Sequence, residues 1–258
     1  MLVVGGLDNR FQSLASAEIF DPGTGRWTLT APLRASRFSH DAVKLLNGLV
    51  MVIGGIVGRR ISRSTALYDP MRNRWMNGAP THNLHTQESA VTLPNGSILI
   101  AGGYGGGPEV YNQATRTWTA VTSTPTRTHA VMATLDDGEV LLATGVSARE
   151  RDFRSAQIFD AHTGTWRATG ALQTPRDAAV GAHLPNGDIL VAGGEQVSQN
   201  VLASTELFHP ATGTWTGGPP LQDPRDAATL TTLRDGNLLV CGGTNLNGVL
   251  NACEMYVP

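Results

Sequence analysis

Several features that identify common classes of protein are missing from this sequence. It has no apolar run of about 18 residues, so no segment could span a membrane as a helix. It also lacks a positively charged start followed by an apolar core, so a secretory signal is absent or was removed. Basic and acidic residues are nearly balanced, at 19 and 21, which indicates neither a nucleic-acid partner nor an anionic membrane surface.

Cysteine is scarce, and the sequence motifs of metal sites and of serine hydrolases are absent. The two cysteines, Cys241 and Cys253, are too few for a disulfide framework and lack metal-site spacing. They lie on neighbouring predicted strands, so they form either a disulfide or two small buried apolar side chains. Cys-x-x-Cys, His-x-x-x-His and Gly-x-Ser-x-Gly are absent. We therefore expect no metal and no cofactor.

What the sequence does contain is a repeat. A short apolar run closed by Gly-Gly occurs six times, and in the fourth copy Thr144 replaces the first glycine. These first positions are 5, 54, 102, 144, 193 and 242, so the steps are 49, 48, 42, 49 and 49 residues. Such a run indicates a buried strand that ends in a sharp turn, and a period in this range indicates a repeat architecture.

Two further elements recur in each repeat. A short strand ends in Phe or Tyr, and in five repeats a Trp follows seven residues later. Because a binding platform would not recur at the same place in every repeat, we expect the tryptophans to be core residues. They are Trp27, Trp75, Trp118, Trp166 and Trp215.

Before each apolar run except the first lies an alternating strand that ends in Asn-Gly or Asp-Gly, as at Asn47-Gly48. This dipeptide favours a two-residue hairpin turn, because both of its residues can take positive φ. The repeat is therefore four antiparallel strands, which we call a (ending in Asn-Gly), b (ending in Gly-Gly), c (ending in the aromatic) and d (carrying Trp). No helix is required.

Six such repeats predict an all-β fold, a six-bladed β-propeller that forms a single domain. The first repeat begins at strand b and the last stops at strand c, after Tyr256. We therefore expect the first and last blades each to be short of one strand, or the chain to be part of a longer protein. The blades are predicted at approximately 1–32, 33–80, 81–122, 123–171, 172–220 and 221–258.

The Gly-Gly pair, the following Tyr or Phe and the Trp seven residues later resemble the kelch repeat. Residues 205–215, Thr-Glu-Leu-Phe-His-Pro-Ala-Thr-Gly-Thr-Trp, are similar to repeats of secreted bacterial kelch proteins. The resemblance covers the whole chain and implies a propeller outside the cytoplasm, either extracellular or periplasmic, although the sequence also leaves a cytoplasmic location open. It does not specify an activity, because propellers host many functions.

A row of cations marks the start of strand a, each eleven residues before the a–b turn glycine. One interpretation is that they hold blades together by bonding carbonyls of a neighbouring blade, and the other is that they bind a ligand. They are Arg37, His85, Arg127, Arg176 and Arg225.

Other candidates break the symmetry of the repeats. Glu88 stands where other repeats have Ala or His40, and His129 is one position out of register. A carboxylate near imidazoles and arginines could bind an anionic sugar or transfer a proton, which makes Glu88, His40 and His85 candidate catalytic residues. Tyr104, in a b–c loop about six residues shorter than the others, could stack on a sugar ring. The charged b–c loop at 147–154 is interpreted as a solvated loop.

Three functions fit these observations. The first is a monomeric binding module that recognises a protein or glycan through the face that carries the longer b–c and d–a loops. The second is a carbohydrate-active enzyme resembling the kelch-type sialic acid mutarotases, or another acidic-sugar isomerase or lyase, in which Glu88 and His40 or His85 transfer protons. The third is a structural propeller segment of a larger secreted protein.

Overall fold

The computed structural model describes residues 1–21, 23–147, 153–233 and 235–257. These residues form β-strands and turns, and no helix occurs among them. Accordingly, the described part of the chain offers no helix that is long and apolar enough to cross a membrane. The chain divides into two compact units, Met1–Ala120 and Val121–Pro258.

The first unit contains three main antiparallel sheets. Sheet 1 has strands b, c and d, whereas sheets 2 and 3 have strands a to d in order. A small additional sheet (β4, β7 and β8) forms where the b–c loop of sheet 2 pairs with the segment before its strand a. The strands are β1 (Leu2–Val4), β2 (Ala17–Asp21), β3 (Arg26–Leu29), β4 (Arg37–Phe38), β5 (Asp41–Lys44), β6 (Val50–Ile53), β7 (Ile56–Val57), β8 (Arg60–Ile61), β9 (Thr65–Asp69), β10 (Arg74–Asn77), β11 (Thr86–Thr92), β12 (Ile98–Tyr104), β13 (Glu109–Asn112) and β14 (Thr117–Ala120).

The second unit contains sheets 4, 5 and 6. Sheets 4 and 5 have four strands, and sheet 6 has strands a, b and c. The b–c loop of sheet 6 forms a separate two-stranded hairpin (β25 and β26). The strands are β15 (Val131–Thr134), β16 (Val140–Ala143), β17 (Gln157–Asp160), β18 (Thr165–Ala168), β19 (Val180–His183), β20 (Ile189–Ala192), β21 (Thr205–His209), β22 (Thr214–Gly218), β23 (Thr229–Thr232), β24 (Leu238–Cys241), β25 (Thr244–Asn245), β26 (Gly248–Val249) and β27 (Cys253–Tyr256).

The predicted all-β class and the four-stranded antiparallel repeat are confirmed. The b strands form the centre of the core, as the apolar run before each Gly-Gly pair predicts. Val52, Ile100 and Val191, for example, are 0% exposed. The b strands of sheets 2 to 5 are covered on both faces, which is why these runs are continuously apolar instead of alternating.

The a–b turns differ from the predicted two-residue type. Gly48 has a φ of 83°, but Asn47 does not have a positive φ. The Gly48 N–H donates to the Leu45 carbonyl, and the Leu45 N–H donates to the Leu49 carbonyl. This pattern is a three-residue loop, a type I turn closed by a glycine bulge, which needs positive φ only at the glycine. The same hydrogen bonds recur at the glycines 96, 138, 187 and 236.

The aromatic residue of strand c and the Trp of strand d are cross-strand partners in every repeat that has both. Their ring centroids lie 5.0 to 5.1 Å apart in all five pairs. The prediction of core tryptophans is confirmed for Trp75, Trp118 and Trp215, which are 5 to 8% exposed. It is wrong for Trp27, which is 47% exposed.

Cys241 and Cys253 form a disulfide between β24 and β27. The two residues are direct cross-strand partners in sheet 6. The sequence left open either a disulfide or two buried apolar side chains, and the structure has the disulfide. The bond ties strand c, an edge strand of this three-stranded sheet, to strand b.

Candidate functional site

The four arginines at the start of strand a share one buried arrangement. Each donates to the carbonyl that closes strand b and to a carbonyl just before strand c, with N···O distances between 2.7 and 3.2 Å. Their side chains are almost fully buried, at 0 to 4% exposure. The acceptor pairs are Gly54 and Ser64 for Arg37, Thr144 and Ser155 for Arg127, Gly193 and Ser204 for Arg176, and Gly242 and Ala252 for Arg225.

This arrangement agrees with the structural role that the sequence suggested. The acceptors, however, differ from the predicted carbonyls of a neighbouring blade. The carbonyls belong to the arginine's own sheet, not to a neighbouring one, because the b–c loop folds back over the start of strand a. A buried carbonyl without a donor would cost about 1–3 kcal/mol, so each arginine stabilises two strand ends at once. The assignment of these arginines to ligand binding stays a prediction.

A carboxylate two residues before the aromatic of strand c completes this arrangement. Glu206 accepts the backbone N–H groups of Gln173 and Thr174 and an N–H from Arg176 at 3.0 Å. Glu254 likewise lies 2.8 Å from the Arg225 guanidinium and accepts the Gln222 N–H. The carboxylate thus ties the incoming d–a loop to strand c. This carboxylate was not predicted from the sequence, because only the aromatic residue of strand c was interpreted.

In sheet 3 a histidine takes the place of the arginine. His85 is 0% exposed, and its Nε2 lies 3.0 Å from Oε1 of Glu109. Glu109 also accepts the backbone N–H groups of His82 and Asn83. Burial raises the pKa of Glu109, but the hydrogen bonds from His85, from these two backbone groups and from the His82 ring outweigh it and lower the pKa to about 2. His85 is therefore engaged by an ionised carboxylate.

Glu88 is the most unusual ionisable group of the first unit. It is 9% exposed, and neither carboxylate oxygen has a hydrogen-bond partner among the other described residues. Burial, with a smaller contribution from the charge of Asp41, raises the pKa of Glu88 to about 8. Its carboxyl group is consequently protonated at neutral pH.

Two other titratable groups lie on neighbouring strands at this end of the first unit. Burial raises the pKa of Asp41 to about 6, although its side chain accepts the N–H groups of Ala42 and Ala90. Burial and the charge of Arg37 lower the pKa of His40 to about 4, so the imidazole is neutral. Its Nδ1 has no partner among the described residues. Asp41 was missed in the sequence because it occurs in one repeat only.

The remaining predicted residues lie in the loops. Tyr104 ends β12 and is 37% exposed, and the glycines after it pack against Asn83 and Leu84. The His129 side chain is 41% exposed, with Nδ1 3.7 Å from Asp177. In the charged loop at 147–154, residues 148–152 lie outside the described residues. Phe153 of this loop is described, and the Arg127 guanidinium lies 4.2 Å from the centre of its ring.

The b–c loops form small hairpins that are fixed to the segment before strand a. In sheet 2, Arg37 and Phe38 pair with Val57 and Ile56. Single bridges repeat this contact between Thr128 and Val146, Asp177 and Glu195, and Asp226 and Thr244. The hairpin tips are therefore held by backbone hydrogen bonds, and they carry large exposed apolar side chains. These include Phe11 at 83%, Leu246 at 82%, Val249 at 85% and Val197 at 44% exposure.

The opposite end of the sheets carries the tight a–b and c–d turns. In the second unit a cleft of about 660 Å³ opens there between the turns of sheets 4 and 5. His209 lines it, with Nδ1 2.9 Å from Asp188 and Nε2 2.7 Å from the Thr216 hydroxyl, and both partners belong to sheet 5.

Comparison with curated proteins gives no match to this sequence. Comparison with protein families matches residues 1–34 to the Kelch motif. These residues comprise sheet 1 and the beginning of the loop that follows it. Together with the four-stranded antiparallel sheets, this match supports placing the chain among the kelch-repeat proteins.

Proposed function

We propose that the chain is a six-bladed kelch propeller, with first and last blades each short of one strand, that acts as a binding module for a protein or glycan. The binding surface is the face that carries the b–c hairpins and d–a loops. Kelch domains generally mediate protein interactions, and a rigid scaffold with variable loops suits recognition.

The observation that carries this proposal is the placement of exposed apolar side chains on the hairpin tips. Phe11 and Leu246 lie at tips whose stems are fixed by backbone hydrogen bonds, with Leu14 N–H donating to Gly6 and Leu250 N–H to Gly243. Exposed aromatic and aliphatic anchors on an ordered backbone lose little conformational entropy on binding. Tyr104 and His129 are the members of the predicted ligand set that are accessible without rearrangement.

The proposal is tested by comparing capture of partners on protein and glycan arrays by the wild type, Phe11→Ser and Leu246→Ser. Met71→Ser is the matched control, because Met71 is 90% exposed in a c–d turn at the other end of sheet 2. We expect one or both tip variants to lose a partner that the control retains. Retention of every partner by both tip variants would overturn the proposal.

The disulfide of sheet 6 supports an extracellular or periplasmic location. Structural disulfides persist in oxidising compartments and are rare in the cytosol. Alkylation of free thiols in protein taken directly from its source cells would test this, since both cysteines should resist modification until a reductant is added.

A second candidate function is acidic-sugar chemistry at Glu88. The supporting observation is a buried carboxyl group with a pKa of about 8 on strand a of sheet 3, and a neutral histidine, His40, just before strand a of sheet 2. A protonated carboxyl group can act as a general acid, and a neutral imidazole can accept a proton. His85 suits this role less well, because Glu109 engages its Nε2.

Turnover of a panel of acidic sugars by the wild type and by Glu88→Gln tests this candidate. Loss of turnover in the variant, with an unchanged circular dichroism spectrum, would support proton transfer by Glu88. If the wild type turns over none of the sugars, the enzymatic function is rejected while the binding function is unaffected.

A further inference from the structure

One position on strand c lacks its polar side chain in sheet 2. The residue two before the aromatic of strand c is Glu or Gln in five repeats, but it is Ala66 in sheet 2. In sheet 4, where an amide replaces the acid, Gln157 accepts a hydrogen bond from the Thr124 hydroxyl, so it still bonds the arriving loop. Sheet 2 has no such side chain. The five polar residues are Glu18, Glu109, Gln157, Glu206 and Glu254.

Sheet 5 shows what this position holds when the glutamate is present. Oε2 of Glu206 accepts the Gln173 N–H at 2.7 Å, and Oε1 accepts the Thr174 N–H and an Nη2–H of Arg176, both at 3.0 Å. Glu109 of sheet 3 accepts the two corresponding backbone N–H groups at 2.8 and 2.9 Å. One carboxylate thus bonds two consecutive backbone N–H groups and a buried cation, and bonds to a charged group of this kind are the strong ones.

The same donors are present in sheet 2 without the carboxylate. The backbone groups three and two residues before the arginine belong to Arg34 and Ala35, and neither N–H has an acceptor among the described residues. Arg37 is 4% exposed, and three of its five guanidinium N–H groups donate to Gly54 and Ser64. Its Nε has no partner within the described structure, and one Nη2–H is also left over. A buried cation with spare donors favours an anion beside it.

The loop that carries these donors is held in place by other contacts. The Ala31 carbonyl accepts the indole N–H of Trp75 at 2.8 Å, and the Leu33 N–H donates to the Ala15 carbonyl at 2.8 Å. Because the backbone is fixed on this side, the two free N–H groups are positioned before any ligand arrives. Such preorganisation lowers the entropic cost of binding.

A cavity of about 270 Å³ lies beside Ala66. Arg34, Ala35 and Arg37 line it together with Ala66, and none of its lining residues is acidic. Alanine differs from glutamate by one methylene carbon and a carboxylate, and these atoms together correspond to acetate. The cavity therefore combines the volume, the donors and the positive charge that the missing group would use.

We infer that the cavity beside Ala66 binds a carboxylate, which takes the place of the glutamate side chain that sheet 2 lacks. One oxygen of the ligand accepts the Arg34 N–H, and the other accepts the Ala35 N–H and the remaining Nη2–H of Arg37. The carboxylate belongs either to a small free acid or to an acidic side chain of a bound segment. None of the exposed hairpin-tip side chains lines this cavity, so the inference does not depend on the proposed function.

The test uses acetate, because it is the fragment by which glutamate exceeds alanine. NMR line broadening of ¹³C-labelled acetate measures its binding to the full chain at neutral pH and constant ionic strength. We expect saturable binding at one site with a Kd on the order of 1–10 mM, since so small a ligand makes few contacts. Acetate should also raise the thermal midpoint of the chain as the site fills.

A variant that supplies the carboxylate from the chain itself locates the site. Ala66→Glu should weaken acetate binding at least about tenfold. It should also raise the thermal midpoint by roughly 2–4 °C, and acetate should stabilise it no further. Ala120→Glu is the matched control, because it adds the same charge at an exposed position on strand d of sheet 3. Its affinity for acetate should equal that of the wild type.

Competition against labelled acetate distinguishes the two sources of the carboxylate. Glutamate blocked at both its amino and its α-carboxyl group carries a side-chain carboxylate alone. Displacement by this compound assigns the site to an acidic side chain of a partner, whereas displacement by propionate without it assigns the site to small free acids. Chloride at the same concentration should displace neither, because it cannot bond two separate sets of donors at once.

Three outcomes would overturn the inference. The first is the absence of saturable acetate binding by the wild type. The second is equal acetate affinity of Ala66→Glu and the wild type, which would place the binding elsewhere. The third is equal displacement by chloride, which would show a general attraction of anions to the arginines instead of a site for a carboxylate.

Discussion

The two units of the molecule are built from the same repeat, but they differ in what lies at the start of strand a. In the second unit every sheet has the same arrangement there, a buried arginine followed three residues later by Ala130, Ala179 or Ala228. In the first unit the corresponding residues are His40 and Glu88, and one arginine is replaced by His85. The regular unit uses its buried arginines to bond the ends of strands, whereas in the irregular unit the Glu88 carboxylate and His40 Nδ1 are buried without a hydrogen-bond partner among the described residues.

The arginine and its carboxylate should therefore matter most in the second unit. Arg176→Met leaves the carboxylate of Glu206 buried with only backbone donors, and we expect a loss of about 3–5 kcal/mol in the free energy of unfolding. Arg37→Met in the first unit should cost less, about 1–3 kcal/mol, because Ala66 stands where the carboxylate would be. Urea denaturation of both variants measures the difference.

The double variant Arg176→Met/Glu206→Leu is the control, since it removes both charges and should recover much of the loss. Equal destabilisation by Arg37→Met and Arg176→Met would contradict the contrast between the units.

The stability of the first unit should decrease as the pH rises from about 4.5 to 8. The pKa of Glu88 is about 8 in the folded protein and 4.5 for the free side chain. Because the folded state binds the proton more tightly, stability is fully present below pH 4.5 and decreases as the pH rises towards 8. The loss by pH 8 should be a few kcal/mol, roughly 2–4.

Denaturation curves from pH 5 to 9 measure this effect, and Glu88→Gln should flatten it above pH 6. Asp41 has a folded pKa of about 6 and contributes to the decrease only below that pH. A profile for Glu88→Gln as steep as that of the wild type between pH 6 and 8 would show that Glu88 ionises freely in the folded protein.

The smallest predicted effect on stability is the difference between a tryptophan whose indole N–H has an acceptor and one whose indole N–H has none among the described residues. Trp215→Phe, in the second unit, removes an indole N–H that donates to Gly170, and we expect a loss of about 1–2 kcal/mol in unfolding free energy. Trp27→Phe, in the first unit, removes a donor without an acceptor and should change stability by less than about 0.5 kcal/mol. Thermal melts of the two variants suffice for the comparison.

The repeat explains which features the sequence predicted well. The Gly-Gly pairs and the Asn-Gly or Asp-Gly turns bracket strands a and b in each copy, so the strand number of every sheet was predictable. The turn type was not, because Asn-Gly fits both a two-residue loop and the observed three-residue loop with positive φ at Gly48 alone.

Features that depend on a single repeat were harder to predict. One of them is Thr144, which replaces the first glycine of the pair in the fourth repeat. In the structure its φ is 63°, and its hydroxyl accepts the Val131 N–H at 3.1 Å, so the side chain satisfies a backbone donor of strand a. Asp41 occurs in one repeat only, so the periodicity of the sequence could not identify it. The exposure of Trp27 depends on what packs beside sheet 1, which no local sequence pattern encodes.

In sheets 2, 3 and 5 the loop that arrives from the preceding sheet gives the array a direction. Trp75 depends on Ala31 and Trp118 on Ala79, but neither acceptor depends in the same way on the sheet that follows. Loss of one sheet should therefore loosen the next sheet along the chain more than the previous one. Within each unit, local unfolding should spread from the amino-terminal side, and hydrogen exchange should rank the sheets in that order.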